Sequence, residues 1–277
     1  MKKIFLSLAL AAATMMSAQV FEVGQLTKLN TPTDADVKVA GVSADGSYVL
    51  ITSGSNQGLR RYDVATGKTT TISTAAGAGY NVQISNDGQE LVYRESSFDK
   101  QGLRKNNIVR HNLTTVKTTT IAKGQRDMMA MANTSANLSV SINDRKIVLT
   151  KNGKTITLAP NGSHLSYIWP SISPDGTKLC YYVCGNGCWV ANLDGSGKQY
   201  IGYGVQAAKW YDNNTLVAMD SEDDGHFTTA SAIVAYTLDG KKQVLTDNSM
   251  IAMYPYTTSN AVVFSTLDGE IYVLNVK

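Results

Sequence analysis

Beyond residue 20 this chain has no long Ala/Leu/Glu/Lys stretch of helical character. Its apolar residues fall in short runs rich in Val, Ile, Thr and Tyr, cut by polar turns. Ser47 to Thr52, Glu90 to Arg94, Lys178 to Cys184, Thr215 to Met219 and Ala261 to Ser265 each read as a strand that follows a turn. A further strand comes after each: Leu59 to Val64, Asn107 to Leu113, Cys188 to Leu193, Ala232 to Leu238 and Ile271 to Val276, with Lys146 to Thr150 in the same role between the second and fourth units. Most units then add a Thr- or Gln-rich strand: Lys68 to Ile72, Lys117 to Ile121, Lys154 to Leu158, Lys198 to Ile201 and Lys242 to Leu245.

The turns repeat with a period. Ser43-Ala44-Asp45-Gly46 and Ser85-Asn86-Asp87-Gly88 start 42 residues apart, and Ser173-Pro174-Asp175-Gly176 starts 88 residues after the second. The doubled gap calls for a degenerate copy, and Thr134-Ser135-Ala136-Asn137 stands there. Tyr211-Asp212-Asn213-Asn214 and Thr257-Thr258-Ser259-Asn260 are two more weak copies, which makes six. Asp-Gly and Asn-Gly supply the positive φ that tight hairpins need. A period of this length with four antiparallel strands per unit describes a β-propeller. The sixth unit stops after its third strand, and an unassigned strand, Val20 to Leu29, precedes the first unit. An open ring would expose two sheet edges. The expected fold is therefore all-β: a six-bladed propeller of four-stranded antiparallel blades, closed by the N-terminal strand completing the last blade.

The first residues differ from the rest. Lys2 and Lys3, an apolar stretch from Ile4 to Met16, and the small residues around Ser17-Ala18 have the form of a secretory signal peptide. This predicts a signal at residues 1–18, one propeller domain over 19–277, a periplasmic or secreted location and no membrane span in the mature chain. The whole chain carries 25 basic and 22 acidic residues; without Lys2 and Lys3 the balance is 23 to 22, near neutral. No Lys/Arg stripe stands out, so nucleic acid is excluded as a partner.

Cys180, Cys184 and Cys188 lie within nine residues, without the paired spacing of a zinc site or a redox CxxC. Cys184 and Cys188 flank Gly185-Asn186-Gly187, which reads as a hairpin turn, and they form a candidate disulfide. The alternative is packed thiols.

The stretch from Trp169 to Leu179, through Ser173-Pro174-Asp175-Gly176 and on to Leu193-Asp194-Gly195-Ser196-Gly197-Lys198, resembles the WD40-like repeat of TolB-type propellers. Asp220-Ser221-Glu222-Asp223-Asp224-Gly225 keeps the middle part of that repeat in unit five. The resemblance implies a TolB-like fold and a binding role. The α/β domain that precedes the TolB propeller has no counterpart in this sequence, and neither does the peptidase domain, with its G-x-S-x-G elbow, that accompanies the same repeat elsewhere.

No catalytic set emerges. Some propeller lyases of this architecture hold a metal on several channel histidines, whereas His111, His164 and His226 lie in three different units. The repeated aspartates read as turn residues and not as a calcium cluster. No catalytic residue, metal or cofactor is therefore expected. Tyr167, Trp169, Trp210 and Tyr254 fall on or beside innermost strands, where they either line a channel or fill the space between blades. Two stretches read as loops that could form a surface site: residues 96–106, with Phe98, Arg104 and Lys105, and residues 220–230, with Glu222, Asp223, Asp224 and His226. The expected activity is non-enzymatic binding of an envelope protein or peptide, and the alternative is a carbohydrate-binding or lyase-type propeller.

Overall fold

A computed structural model describes residues 19–32, 36–126 and 138–277. The expected signal peptide and the Thr134–Asn137 turn lie outside the described residues. The rest is a six-bladed propeller. Blade one holds β2 (Val37–Val42), β3 (Tyr48–Ser53), β4 (Leu59–Asp63) and β5 (Thr69–Ser73), after β1 (Val23–Lys28). Blade two holds β6 (Gln83–Ile84), β7 (Glu90–Phe98), β8 (Arg104–Asn112) and β9 (Lys117–Gln125). Blade three shows, among the described residues, β10 (Leu138–Asn143), β11 (Lys146–Lys151) and β12 (Lys154–Leu158). Blade four comprises β13 (Tyr167–Ile172), β14 (Lys178–Val183), β15 (Gly187–Asn192) and β16 (Gln199–Gly202). Blade five comprises β17 (Gln206–Trp210), β18 (Thr215–Asp223), β19 (Thr228–Thr237) and β20 (Lys242–Val244). Blade six comprises β21 (Ala252–Thr257), β22 (Ala261–Thr266) and β23 (Ile271–Val276). All pairings within the sheets are antiparallel, and β1 lies beside β23 with Leu26 opposite Leu274 and Lys28 opposite Tyr272.

The core consists of layers between blades, which explains why the middle strands are apolar at consecutive positions. Successive side chains of a strand point to opposite faces, and here both faces are covered. In β3, Val49 and Ile51 pack toward blade six while Tyr48 and Leu50 pack toward blade two. In β18, Val217 and Met219 join the blade-six layer and Leu216 and Ala218 the blade-four layer. Burying each such side chain contributes ~1.5–3 kcal/mol. The outermost strands β5, β9 and β12 have no second layer, and their Thr and Lys residues are largely solvated.

The Ser-x-Asp-Gly repeats form the turns expected of them. In each of the three, the glycine N–H donates to the serine carbonyl, at 2.9 Å for Gly46, 2.8 Å for Gly88 and 2.9 Å for Gly176. Asp175 Oδ1 accepts the Thr177 N–H at 3.0 Å, and Asp45 and Asp87 accept likewise from Ser47 and Gln89. Gly176 sits at φ +67°, the left-handed region that a β-carbon disfavours. These carboxylates are engaged by their own turns.

Candidate functional site

The turns after the first and third strands of each blade lie on one face of the ring. The turns between second and third strands, and the crossovers between blades, lie on the other. This second face differs from a plain propeller in two blades. β7, β8 and β18 have nine residues each and β19 has ten, where the second and third strands of the other blades have five or six. Three further residues per strand amount to about 10 Å of extra reach. Blades two and five are opposite each other in a ring of six, so two arms rise on opposite sides of the channel mouth.

Residues expected as loops thus belong mainly to strands. Ser96 pairs with Asn106, Ser97 with Lys105 and Phe98 with Arg104, leaving only residues 99–103 as the turn. Asp220 pairs with Ala232, Glu222 with Ala230 and Asp223 with Thr228. The ladder carries these strands beyond the apolar core, and where their side chains are buried, as at Asn106 and Ser231, they are polar and hydrogen-bonded, so the composition resembles that of a loop. At the tips, Phe98 is 69% exposed and Phe227 75% exposed. Asp99 Oδ1 accepts from Gln101 and Leu103 N–H, and Asp99 lies 3.7 Å from the Lys105 ammonium. Asp224 Oδ1 accepts from His226 N–H at 2.9 Å and Phe227 N–H at 2.8 Å, while Asp223 Oδ1 accepts from Gly225 N–H at 2.9 Å. These bonds hold Asp99 and Asp224 below the usual carboxylate range, so two members of the acidic stretch, Asp223 and Asp224, shape their own turn. The blade-two arm keeps Arg104 and Lys105, and the blade-five arm keeps Glu222 and its neighbours, so the arms differ in sign of charge.

Between the arms lies a cavity of about 300 Å³ along the channel. Asn56, Tyr80 and Lys38 stand toward its mouth, and Trp169, Lys209, Tyr254 and Tyr256 line it further in. A shared backbone device builds the wall. The register of the inner strand breaks between Ile168 and Ser171, between Gln206 and Lys209, and between Met253 and Tyr256. At each break one non-glycine residue is left-handed: Trp169 at φ +51°, Ala207 at +50° and Tyr254 at +52°. Such a conformation costs about 1–2 kcal/mol per residue, and bulges of this kind re-aim side chains next to sites.

Of the four aromatic residues expected at the channel, the structure brings Trp169 and Tyr254 to the cavity. Tyr167 and Trp210 are instead inter-blade packing. Tyr167 is fully buried, with its hydroxyl donating to Gly162 O at 3.1 Å and accepting from Asn161 N–H. Trp210 is buried against blade four, and its Nε1–H donates to Ser171 O at 3.1 Å. The sequence reading missed Lys38, Lys209 and Tyr80. Lys38 Nζ donates to Gly54 O at 2.8 Å and lies 5.5 Å from the Tyr254 ring centre. Lys209 Nζ lies 5.0 Å from the Tyr256 ring centre. Burial pushes both ammonium pKa values down and pushes the Tyr256 phenol up to about 12. Tyr80 is backed by Arg94, whose guanidinium carbon is 4.2 Å from the ring centre. A lysine set between Ala207-Ala208 and Trp210 in an inner strand was the available signal.

The cysteines pair differently from expectation. The β14–β15 ladder closes at Val183 opposite Gly187, which leaves Cys184 exposed in the turn. Cys188 faces Tyr182 and is buried, with Cys180 diagonal to it at an Sγ–Sγ distance of 3.5 Å. All three are free thiols: Cys180 and Cys188 adjoin diagonally across the ladder, and Cys184 is exposed in the turn. Among the described residues, no three His, Cys, Asp or Glu come together as a metal site, and no helix is long and apolar enough to cross a membrane.

No family model matches this sequence, and no curated protein matches it either. Solved structures resemble it in fold. A putative TolB from Agrobacterium tumefaciens aligns at 17% identity over 88% of this chain and 91% of its own, with a TM-score of 0.58. An auxiliary nutrient binding protein from Bacteroides thetaiotaomicron aligns at 10% identity over 91% of this chain and 76% of its own, with a TM-score of 0.57. An oligogalacturonate lyase in complex with manganese aligns at 14% identity over 85% of this chain and 76% of its own, with a TM-score of 0.54. At these identities the likeness is one of fold: the chain is similar in architecture to propellers that bind and to propellers that catalyse.

Proposed function

We propose that this chain is an exported, TolB-like binding module, a single propeller over residues 19–277 whose ring is closed by β1 and whose partner is an envelope protein or peptide. Its working face is the one from which the two arms rise. One observation carries the reading: Phe98 and Phe227 stand exposed at the tips of opposed arms, on either side of a cavity lined by aromatic rings. Large apolar side chains held out at the ends of regular strands have no role in folding and fit the anchors of an interface. The signal-like residues 1–18 support export, and the binding protein among the structural neighbours fits the same role. The test is crosslinked capture from an envelope extract with the chain and with Phe98→Ala and Phe227→Ala variants of unchanged fold. A partner captured by the parent and lost by both variants supports the module. A partner captured equally by all three removes the arms from its function.

A second reading, a carbohydrate-binding propeller, draws on the cavity. Trp169, Tyr254 and Tyr256 offer flat apolar faces beside the Asn56 amide, the kind of lining that receives a sugar ring. Saccharide binding that survives loss of both arm aromatics would favour it.

A further inference from the structure

The cavity between the arms is rich in donors. Its ammonium groups are Lys38 and Lys209, its phenols Tyr80, Tyr254 and Tyr256, and its indole Trp169. Among the described residues that line it there is no Asp or Glu, and the only side-chain acceptors besides the phenol oxygens are the amides of Asn56 and Asn81. Lys38 spends one donor on Gly54 O. Lys209 is partly buried between Ala208 and Trp210, and its close contact is the Tyr256 ring. Desolvating an ammonium without a carboxylate or carbonyl partner is costly, and a single ring face offsets only part of that cost. Among the described residues no carboxylate meets that ammonium, which makes the cavity a place where an anion is favoured.

We infer that this cavity receives a carboxylate, carried by an organic ligand of one or two ring units and held by Lys209, with Lys38 nearer the mouth. The size sets the upper bound, since about 300 Å³ is at the small end of ligand cavities. The donor types select among anions. Lysine binds phosphate as well as carboxylate, but a phosphate site commonly adds an Arg fork, a helix N-terminus or a nest of backbone N–H groups; the described lining holds no Arg, and its phenols and aromatic faces suit a carboxylate on an apolar or ring-shaped body. The ligand's other groups would be acceptors. A uronic acid sugar and a peptide's terminal carboxylate share this chemistry. The inference rests on the same working face as the module reading, but on its cavity and not on its arms.

The experiment is calorimetric titration of the purified chain with four probes: a uronic acid disaccharide, its methyl ester, an acetylated Gly-Phe dipeptide acid and its amide. At least one acid is expected to bind tenfold or more tightly than its neutral counterpart. Lys209→Met should weaken that acid by about tenfold to a hundredfold, the range for a hydrogen bond to a charged group. Lys209→Arg should retain most of the affinity, and Lys241→Met, on the opposite face, should retain all of it. Which acid binds identifies the source. A second readout needs no variant: acetylation of Lys209 by a water-soluble ester, followed by peptide mass spectrometry, should be slowed at least tenfold by the binding acid and not by its neutral counterpart. Equal binding of acids and neutral counterparts, no binding by any acid at millimolar concentration, or an unchanged Lys209→Met would each overturn the proposal. Arm variants that lose a captured protein while no acid binds would leave the module standing without its carboxylate site.

Discussion

If β1 closes the ring, the residues just before it should carry a disproportionate share of the stability. Phe21 is 5% exposed and lies in the layer between blades five and six, its ring 4.6 Å from that of Tyr211 at 70°. Gln243 in β20 clamps the same segment: its Oε1 accepts the N–H groups of Val20 at 2.6 Å and Phe21 at 2.7 Å, and its Nε2 donates to Phe21 O at 3.0 Å. Glu22 and Lys277 exchange two backbone hydrogen bonds, at 2.9 and 3.0 Å. Phe21→Ala removes a buried aromatic side chain and should cost about 3–5 kcal/mol. Gln243→Ala leaves three partly buried backbone groups without their partner and should cost about 1–3 kcal/mol. The two side chains act on one segment, so the double variant should lose less than the sum of the singles. Urea unfolding of the chain from Gln19 onward is the assay, with the midpoint falling and the slope unchanged in a two-state protein. At about 2 °C per kcal/mol for a domain of this size, Phe21→Ala should also melt some 6–10 °C earlier. A Phe21→Ala midpoint that matches the parent would show that the segment is not docked and that blade six stands without it, and strict additivity with Gln243→Ala would show that the two side chains do not act on one segment.

Two further outcomes follow from the turns and the thiols. Asp45, Asp87, Asp175, Asp194, Asp239 and Asp247 are all held below the usual carboxylate range, mainly by hydroxyl or backbone donors of their own turns. Each binds a proton more weakly folded than unfolded, so the stability it adds is present above the unfolded value of 3.8 and is lost as pH falls through the folded one. Melting temperature should therefore decline steadily below about pH 4, and Asp175→Asn should flatten part of that decline; a slope unchanged by Asp175→Asn would remove the turn from the account. Of the three thiols, Cys184 is exposed, whereas Cys180 and Cys188 are buried and the Cys188 pKa is raised by the Cys180 hydrogen bond and by burial. A maleimide should label one thiol in the native chain and three after unfolding; rapid labelling of two or three native thiols would contradict the burial.

The fold was legible because its determinants are local. A middle strand covered on both faces must be apolar at consecutive positions, as at Val49, Leu50 and Ile51, and its turn must supply a left-handed residue, as at Gly46 or Gly176. The apolar runs recur from blade to blade, and the Asp-Gly turn marks blades one, two and four directly. The arms were not legible as strands for the converse reason. Residues 96–98, 104–106 and 220–223 are in strands because the partner strand continues opposite them; their tips are exposed, and the buried Asn106 is satisfied by hydrogen bonds with Ser96 and Gln125, so nothing there demands an apolar residue. Ser, Asn, Asp and Lys there are compatible with strand and loop alike.

The site was harder to read because its residue types are shared with the core. Tyr167 and Trp169 are two apart in one strand, so strict alternation puts them on one face. The register break between Ile168 and Ser171 cancels that parity, and Tyr167 goes between blades while Trp169 reaches the cavity. In β17 the break precedes Lys209, and beyond it ordinary alternation resumes: Lys209 faces the cavity and its neighbour Trp210 packs between blades. Pro170 and Pro255 mark two of the three breaks, but Ala207-Ala208 makes the third with no proline at all. A proline is therefore not what makes the bulge, which recurs at the same place in three inner strands of different local sequence. Composition can say that aromatics gather near the axis, but which of them face a ligand is decided by backbone geometry that exists only once the blades have packed.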